Sequence, residues 1–381
     1  MTVSSPFYSE DHEAFRAVVR QFTTNEITPY VQEWEQAGEV PRELYKKAAA
    51  VGLFGDGFGE QYGGHGQRDA ILRMVILQEL SRGGSGGVVA SILSNYIGLP
   101  PIQRGGSEEM KAKVLTPCLA GDAVAALAIT EPSGGSDVAR IKTVARRDGE
   151  EFIVNGQKTF ITSGMHADFI TVAVRTGGDG ARGISLLLIE GDRAGLDRTR
   201  LDKMGWLSSD TATLYFDDVR VPVSNLIGEE GTGFSAIVNN FNAERIDMAA
   251  QSIAYSRACY DEALEWSRDR ETFGKRLADH QVIRHKFIEM DRQINAAQAW
   301  CELLAWRLNQ DDNPVAEIAE LKVQATTTFE FCAREAAQIL GGASYLKGSV
   351  TERLYREVRV QAIGGGSEEI LRDLASRQLD I

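Results

Sequence analysis

Two stretches hold residues whose types and spacing could do chemistry. ITEPSGGSD (Ile129 to Asp137) ends an apolar run, AVAALAIT (Ala123 to Thr130), and KTFITSG spans Lys158 to Gly164. The proline and the Gly-Gly pair predict a sharp turn whose backbone amides lie open to a ligand. Thr130, Ser133 and Ser136 carry hydroxyls that can donate to carbonyls and ring nitrogens, and Phe160 offers an aromatic face. Hydroxyl donors beside a stacking surface are what a flavin ring needs. Taken alone, the same cluster also suits a surface turn.

Other chemistries find less support. Histidines stand scattered at 12, 65, 166, 280 and 285, and His280 and His285 are five apart, which does not place two ligands on one helical face. The four cysteines, Cys118, Cys259, Cys301 and Cys332, form no CxxC pair, so neither a zinc knuckle nor a redox dithiol is expected, and a reduced, cytoplasmic compartment fits. One GxGxxG match, Gly178 to Gly183, lies between the strand-like runs DFITVAVR and ISLLLIE without a helix after it. This placement predicts a hairpin loop, not a dinucleotide fingerprint. A net charge of −13 argues against nucleic acid as a partner. The longest apolar runs, such as Ile184 to Ile189, are too short to cross a bilayer, and no signal or transit segment is expected.

The elements that must position these residues fall into three blocks. Residues 1–122 read as helices, with apolar residues at three and four spacing in DHEAFRAVVRQFTTNEI, PRELYKKAAAVGLF, RDAILRMVILQELSR and SEEMKAKVLTPCLA, separated by glycine loops at 55–64 and 83–87. Residues 123–229 alternate in short runs, with Asp148-Gly149 and Asn155-Gly156 as hairpin signals, and predict a small antiparallel β domain. Crossover helices for parallel strands have no room there. Residues 230–381 return to helical periodicity in long segments, with Asn313-Pro314 as an N-cap and first-turn pair and Ser367, Glu368 and Glu369 opening the last helix. The expected fold is α+β: an N-terminal helical domain, a middle antiparallel β domain and a C-terminal four-helix bundle.

The order of these blocks, with ITEPSGGSD, KTFITSG, KMGW (Lys203 to Trp206), RETFGKRLADHQ (Arg270 to Gln281), QILGG (Gln338 to Gly342) and IGGGSEEI (from Ile363), resembles the acyl-CoA dehydrogenases over essentially the whole chain. The resemblance implies FAD as cofactor, with Leu127, Ile129, Thr130, Ser136, Phe160 and Thr162 at the flavin. It implies that Arg270, Thr272, Phe273, His280, Gln281, Gln338, Gly341 and Gly342 meet FAD across a subunit boundary, with Ser367 and Glu369 also at the cofactor. A guanidinium at Arg270 suits a pyrophosphate by bidentate hydrogen bonds; read without the resemblance, RDRETFGKR is a solvated helix end. A homotetramer built as a dimer of dimers, an electron-transfer flavoprotein as electron acceptor, and no nucleic acid or membrane partner are implied as well.

One departure matters for the chemistry. α,β-Dehydrogenation needs a carboxylate that removes the α-proton of the thioester, and many family members carry it as the glutamate of a YEGT motif. This chain has GGGS there, with Gly365 in the glutamate's place. The isovaleryl-CoA and long-chain branches share that glycine and carry the glutamate on an earlier helix, and the matching residue here is Glu244. Ser136, Asn242, Arg245, Gly365 and Gly366 are the implied substrate contacts, with a backbone amide near Gly365 on the thioester oxygen. The alternatives are a flavin oxidase or monooxygenase on the same fold, which would form peroxide in air, and a catalytically silent acyl-CoA-binding subunit, which would leave its ligand unaltered.

Overall fold

The segment AILRMVILQELS is apolar on nearly every side, and a helix of that kind stays stable only when surrounded. The computed structural model, which describes residues 5–381, places it so. Helices α1 (Glu10–Phe22), α2 (Val31–Ala37), α3 (Arg42–Ala50) and α4 (Ala70–Ser81) are followed by α5 (Gly86–Ile92), α6 (Asn95–Gly98), α7 (Pro100–Gly105) and α8 (Glu108–Leu119). All of α4 except Leu72 is buried, packed against α1 and the later bundle. Asp69 caps α4 by accepting from the amides of Ile71 and Leu72. Gly86 and Gly87, expected in a loop, instead open α5, because the Ser85 hydroxyl accepts from the Val88 amide and starts the helix there.

The middle of the chain forms one sheet from β1 (Ala125–Ala128), β2 (Val144–Asp148), β3 (Glu151–Thr162), β4 (Phe169–Arg175), β5 (Ile184–Glu190), β6 (Leu196–Arg200), β7 (Thr211–Pro222) and β8 (Leu226–Ile227). Its order is β6-β7-β3-β2-β4-β5-β8, and β1 also pairs with β4. Most pairs are antiparallel, but β1 runs parallel to β4, as does β2 at the single pair Val144 and Arg175. No crossover helix is required, since the β2–β3 hairpin and its flanking loops carry the chain back. Gly178 to Gly183 does join the antiparallel neighbours β4 and β5.

Asp148-Gly149 makes the β2–β3 hairpin, whereas Asn155-Gly156 does not turn. β3 runs straight through it, and the pair forms a bulge against β7 between Val154 and Gly156. Asn155 is held there by exchanging hydrogen bonds with Asp218. Gly156 has φ +146°, and a Cβ on it would lie 2.6 Å from the Thr143 hydroxyl and 2.7 Å from the Thr143 Cα.

Helices α9 (Gly233–Asp269), α10 (Gln281–Leu308), α11 (Val315–Leu340), α12 (Val350–Ile363) and α13 (Glu368–Gln378) complete the chain. α11 is their hub and packs against the other four, and α9 reaches from this bundle to α4 and β5. The α11 helix starts one residue later than Asn313-Pro314 predicted, because Pro314 itself is the capping residue. After α9 the chain forms the short hairpin β9 (Glu271–Thr272) and β10 (Lys275–Arg276), where a solvated helix end was the alternative. Its two turn residues, Phe273 and Gly274, both have positive φ, as a tight primed turn demands. Gly156→Ala forces a side-chain atom against Thr143, just ahead of β2, at a strained φ; we expect a loss of about 2 kcal/mol or more in chemical denaturation, with the fold unchanged.

Candidate active site

The sheet presents the first group of residues. From β1 the chain passes through buried Ile129 into a turn closed by paired hydrogen bonds between Glu131 and Gly134. The Thr159 amide donates to the Thr130 carbonyl at 2.9 Å, which ties the two motifs side by side. Beneath them lies a buried ion pair that sequence reasoning missed, although both partners sit inside the two motifs. Lys158 donates to the Glu131 carboxylate at 2.9 Å and to the Ile129 carbonyl at 3.0 Å, and that carboxylate also accepts from the amides of Lys142 and Thr143. Burial pushes the Lys158 ammonium down to about 8, while Lys158 and the two amides hold Glu131 below the usual carboxylate range in spite of its burial.

This anchored base leaves Phe160 free to project. The β3–β7 register breaks between Lys158 and Ile161, Phe160 takes φ +59°, and its ring is 68% exposed. Left-handed backbone on a bulky residue is costly and clusters at ligand sites. Gly135 folds back so that a Cβ on it would lie 3.3 Å from the Thr130 side chain, which brings the Ser133 to Ser136 loop over Thr130. Leu127 and Thr162 are half-buried and Ser136 is exposed.

The second group gathers at the start of α9. The Glu244 carboxylate accepts from the Asn240 amide at 2.7 Å, and Asn240, 2% exposed, accepts in turn from Arg104 at 3.1 Å. Burial, with nearby Asp247 adding repulsion, pushes the Glu244 carboxyl up to about 7, against the opposing pull of Asn240, Arg245 and Arg73. Asp247 is itself engaged by Arg73 at 2.9 Å, and Arg73 stacks on Tyr96. Arg245 donates to the Gly365 carbonyl at 3.3 Å and to Asn242 at 2.8 Å. The Asn242 amide donates to Asn313, so both its polar ends are engaged within the protein.

Gly365 has φ +65°, and a Cβ on it would stand 2.8 Å from the sulfur of Met248, one helical turn beyond Glu244. The GGGS turn therefore lies directly on the face of α9 that carries Glu244. Gly366 also has positive φ, and Ser367 caps α13, with Glu369 exposed in its first turn. Helices α6 and α7 connect the two groups: Gly98 packs on the β1 backbone, and Arg104, six residues on, reaches Asn240.

The third group is elsewhere. Arg270 and Phe273 are exposed, the latter at 98%; Thr272 pairs with His280 at 3.1 Å, and Gln281 opens α10. Gln338 is exposed in the last turn of α11, and the backbones of Gly341 and Gly342 face open space. Along α9 the 25 residues from Arg245 to Arg270 correspond to about 38 Å at ~1.5 Å per residue. The structure thus links the sheet that carries the platform to Glu244 through α6 and α7, and holds the hairpin at the far end of α9. A cleft of about 570 Å³ between α1, α4, α9 and α10 contains none of these residues; its Arg20 and Arg257 are neutralised by Glu79 and Asp291.

Comparison with known proteins shows the family. Residues 9–122, 126–219 and 231–379 match the family models for the N-terminal, middle and C-terminal domains of acyl-CoA dehydrogenase. The mitochondrial long-chain specific acyl-CoA dehydrogenase of Rattus norvegicus is 35% identical, over 98% of this chain and 87% of its own. A crystal structure of a putative acyl-CoA dehydrogenase from Mycobacterium smegmatis superposes with a TM-score of 0.96 at 42% identity, covering 99% of both chains. A glutaryl-CoA dehydrogenase from M. smegmatis, solved in complex with FADH2, gives 0.90 at 27% identity, covering 99% of this chain and 96% of its own. The chain belongs to the acyl-CoA dehydrogenase family.

Proposed function

We propose that this enzyme removes the α-proton and β-hydride of an acyl-CoA thioester to give the trans-2-enoyl-CoA, with Glu244 as the α-proton base and an electron-transfer flavoprotein as acceptor. The observation that carries the reading is the position of Glu244: a half-buried residue on the face of α9 that meets the glycine turn, a turn that lacks a carboxylate of its own. The residues fit FAD, because an exposed aromatic ring on a strained bulge beside the Thr130 hydroxyl offers a planar, partly polar ligand both stacking and hydrogen bonds. FAD when bound supplies the hydride acceptor.

The protein's own part is positional and electrostatic. Desolvation makes the Glu244 carboxylate a stronger base than one in water, so the α-proton moves to it near neutral pH. The Asn240 amide holds one carboxylate oxygen and orients the other. Backbone amides of the GGGS turn polarise the thioester carbonyl and stabilise the enolate-like charge that develops as the proton leaves. Ser136, Asn242, Arg245, Gly365 and Gly366 line the substrate in this reading, and a long or branched acyl chain is preferred.

The ~38 Å between Arg245 and Arg270 supports the subunit arrangement, since one dinucleotide does not span from the Glu244 region to the hairpin at the far end of α9. Arg270, Thr272, Phe273, His280, Gln281, Gln338, Gly341 and Gly342 are therefore read as reaching the cofactor of a second copy, within a homotetramer built as a dimer of dimers. Leu127, Ile129, Thr130, Phe160, Thr162, Ser367 and Glu369 serve the cofactor of their own chain.

Four outcomes follow from these roles. Glu244→Gln keeps its flavin and loses about 10²- to 10⁴-fold in anaerobic flavin reduction by acyl-CoA; near-parental reduction contradicts the assignment. Because the Glu244 carboxyl is raised, its basic form accumulates as pH rises through about 7, so stopped-flow reduction in the parent climbs across that range. Asn240→Ala removes a donor that favours the ionised carboxylate and shifts this limb to higher pH, whereas an unmoved limb would assign it to another group. Arg270→Ala weakens flavin retention on dilution without moving the limb; unchanged retention would remove Arg270 from the cofactor.

A further inference from the structure

Lys322 lies on α11 with its side chain fully buried at 0% exposure, and among the described residues no carboxylate comes within ion-pair distance of it. An ammonium in that position is expensive to desolvate, and burial pushes it down to about 8. A methionine of similar length would avoid this cost. What the ammonium adds is its contacts, which are carbonyls: Gly366 at 2.8 Å and Ala362 at 3.3 Å.

Those carbonyls flank the triglycine turn. Arg245, from the opposite helix α9, takes the Gly365 carbonyl. Two buried cations thus hold the end of α12 and the turn after it, where the negative end of the helix dipole favours them. Gly364 still donates to the Val360 carbonyl at 2.8 Å and the Gly366 amide lies inside a turn that closes over Gly364 and Gly365, but the amide of Gly365 donates to no protein acceptor among the described residues. A trans peptide sets its N–H opposite its C=O, and the chain has no cis bond among those residues. Pinning the Gly365 carbonyl on Arg245 therefore turns the Gly366 amide away from that cation, and pinning the Gly366 carbonyl on Lys322 does the same for the Ser367 amide.

We propose that Lys322 is a positioning residue: by holding the carbonyls of Ala362 and Gly366 it fixes the turn so that the unpaired Gly365 amide between them is preorganised to receive the thioester carbonyl oxygen beside Glu244. This rests on the dehydrogenase reading above. Lys322 touches neither substrate nor base in this role. It acts through the turn, at a place where the glycines have no side chains to hold them.

The test uses the FAD-loaded full-length enzyme and an acyl-CoA that the parent oxidises, carrying ¹³C at the thioester carbonyl. Lys322→Met should keep its flavin and a KM within about threefold of the parent, lose on the order of 10- to 100-fold in kcat, and shift the infrared carbonyl stretch of the bound thioester back toward the free value. Lys322→Gln, whose amide can still donate to the same carbonyls, should recover part of both. A kcat for Lys322→Met within about twofold of the parent, or a lower kcat with an unmoved stretch, overturns the proposal. Should neither variant fold, the parent alone decides: a bound carbonyl with no downshift from the free thioester leaves Lys322 nothing to position. A parent that oxidises no acyl-CoA removes the underlying reading instead, a distinguishable result.

Discussion

A carboxylate becomes a useful base at neutral pH only when water is kept from it, and yet it must still face its substrate. With Glu244 as the proposed base, much of the structure around it answers that conflict. Its helix is 37 residues long, anchored at one end against β5, where Gly233 packs on the backbone of Ser185, and buried along its middle by α4, α10 and α11. Charges that could disturb the carboxyl are engaged elsewhere: Asp247 by Arg73, and Arg245 by Asn242 and the Gly365 carbonyl. Burial, with Asp247 acting in the same direction, outweighs the pull of Asn240, Arg245 and Arg73 and raises the carboxyl.

The glycine turn is the complement of this arrangement. A side chain at 365 would meet Met248 and would have to adopt a left-handed backbone, so moving the base onto the turn is not a simple exchange of two side chains. With no side chain at 365 the turn's backbone lies against α9, where Arg245 holds the Gly365 carbonyl. The buried cations Arg245 and Lys322 secure it from two helices. On the sheet side the same device recurs: the buried Lys158 and Glu131 fix two loops from beneath, and the strained Phe160 bulge rises above them.

The block architecture was legible because periodicity changes sharply near residues 122 and 230 and because the helices are long. The glycine and hydroxyl motifs were legible as motifs. Local chemistry misled where long-range contacts decide. Asn155-Gly156 has the composition of a hairpin turn, but pairing with β7 on the far side of β3 overrides it. The 271–276 hairpin hides in a charged run with almost no strand propensity, made possible by Phe273 and Gly274 both accepting positive φ. The Lys158–Glu131 pair and the Lys322 contacts join residues 27 to 44 positions apart, which no local pattern reveals. Glu244 came from the absence of a carboxylate at 365 combined with the family resemblance, since one glutamate in a long helix carries no signal of its own.

The most direct test of the account is α-hydrogen exchange, which isolates proton removal from electron transfer. The enzyme is incubated in D₂O with a 3-thiaacyl-CoA, whose α-proton can leave but whose sulfur at the β position has no hydride to give, and deuterium uptake is followed by mass spectrometry. The account predicts rapid exchange with the parent and almost none with Glu244→Gln that retains its flavin. Equal exchange rates in the two proteins would place the base elsewhere and contradict the account.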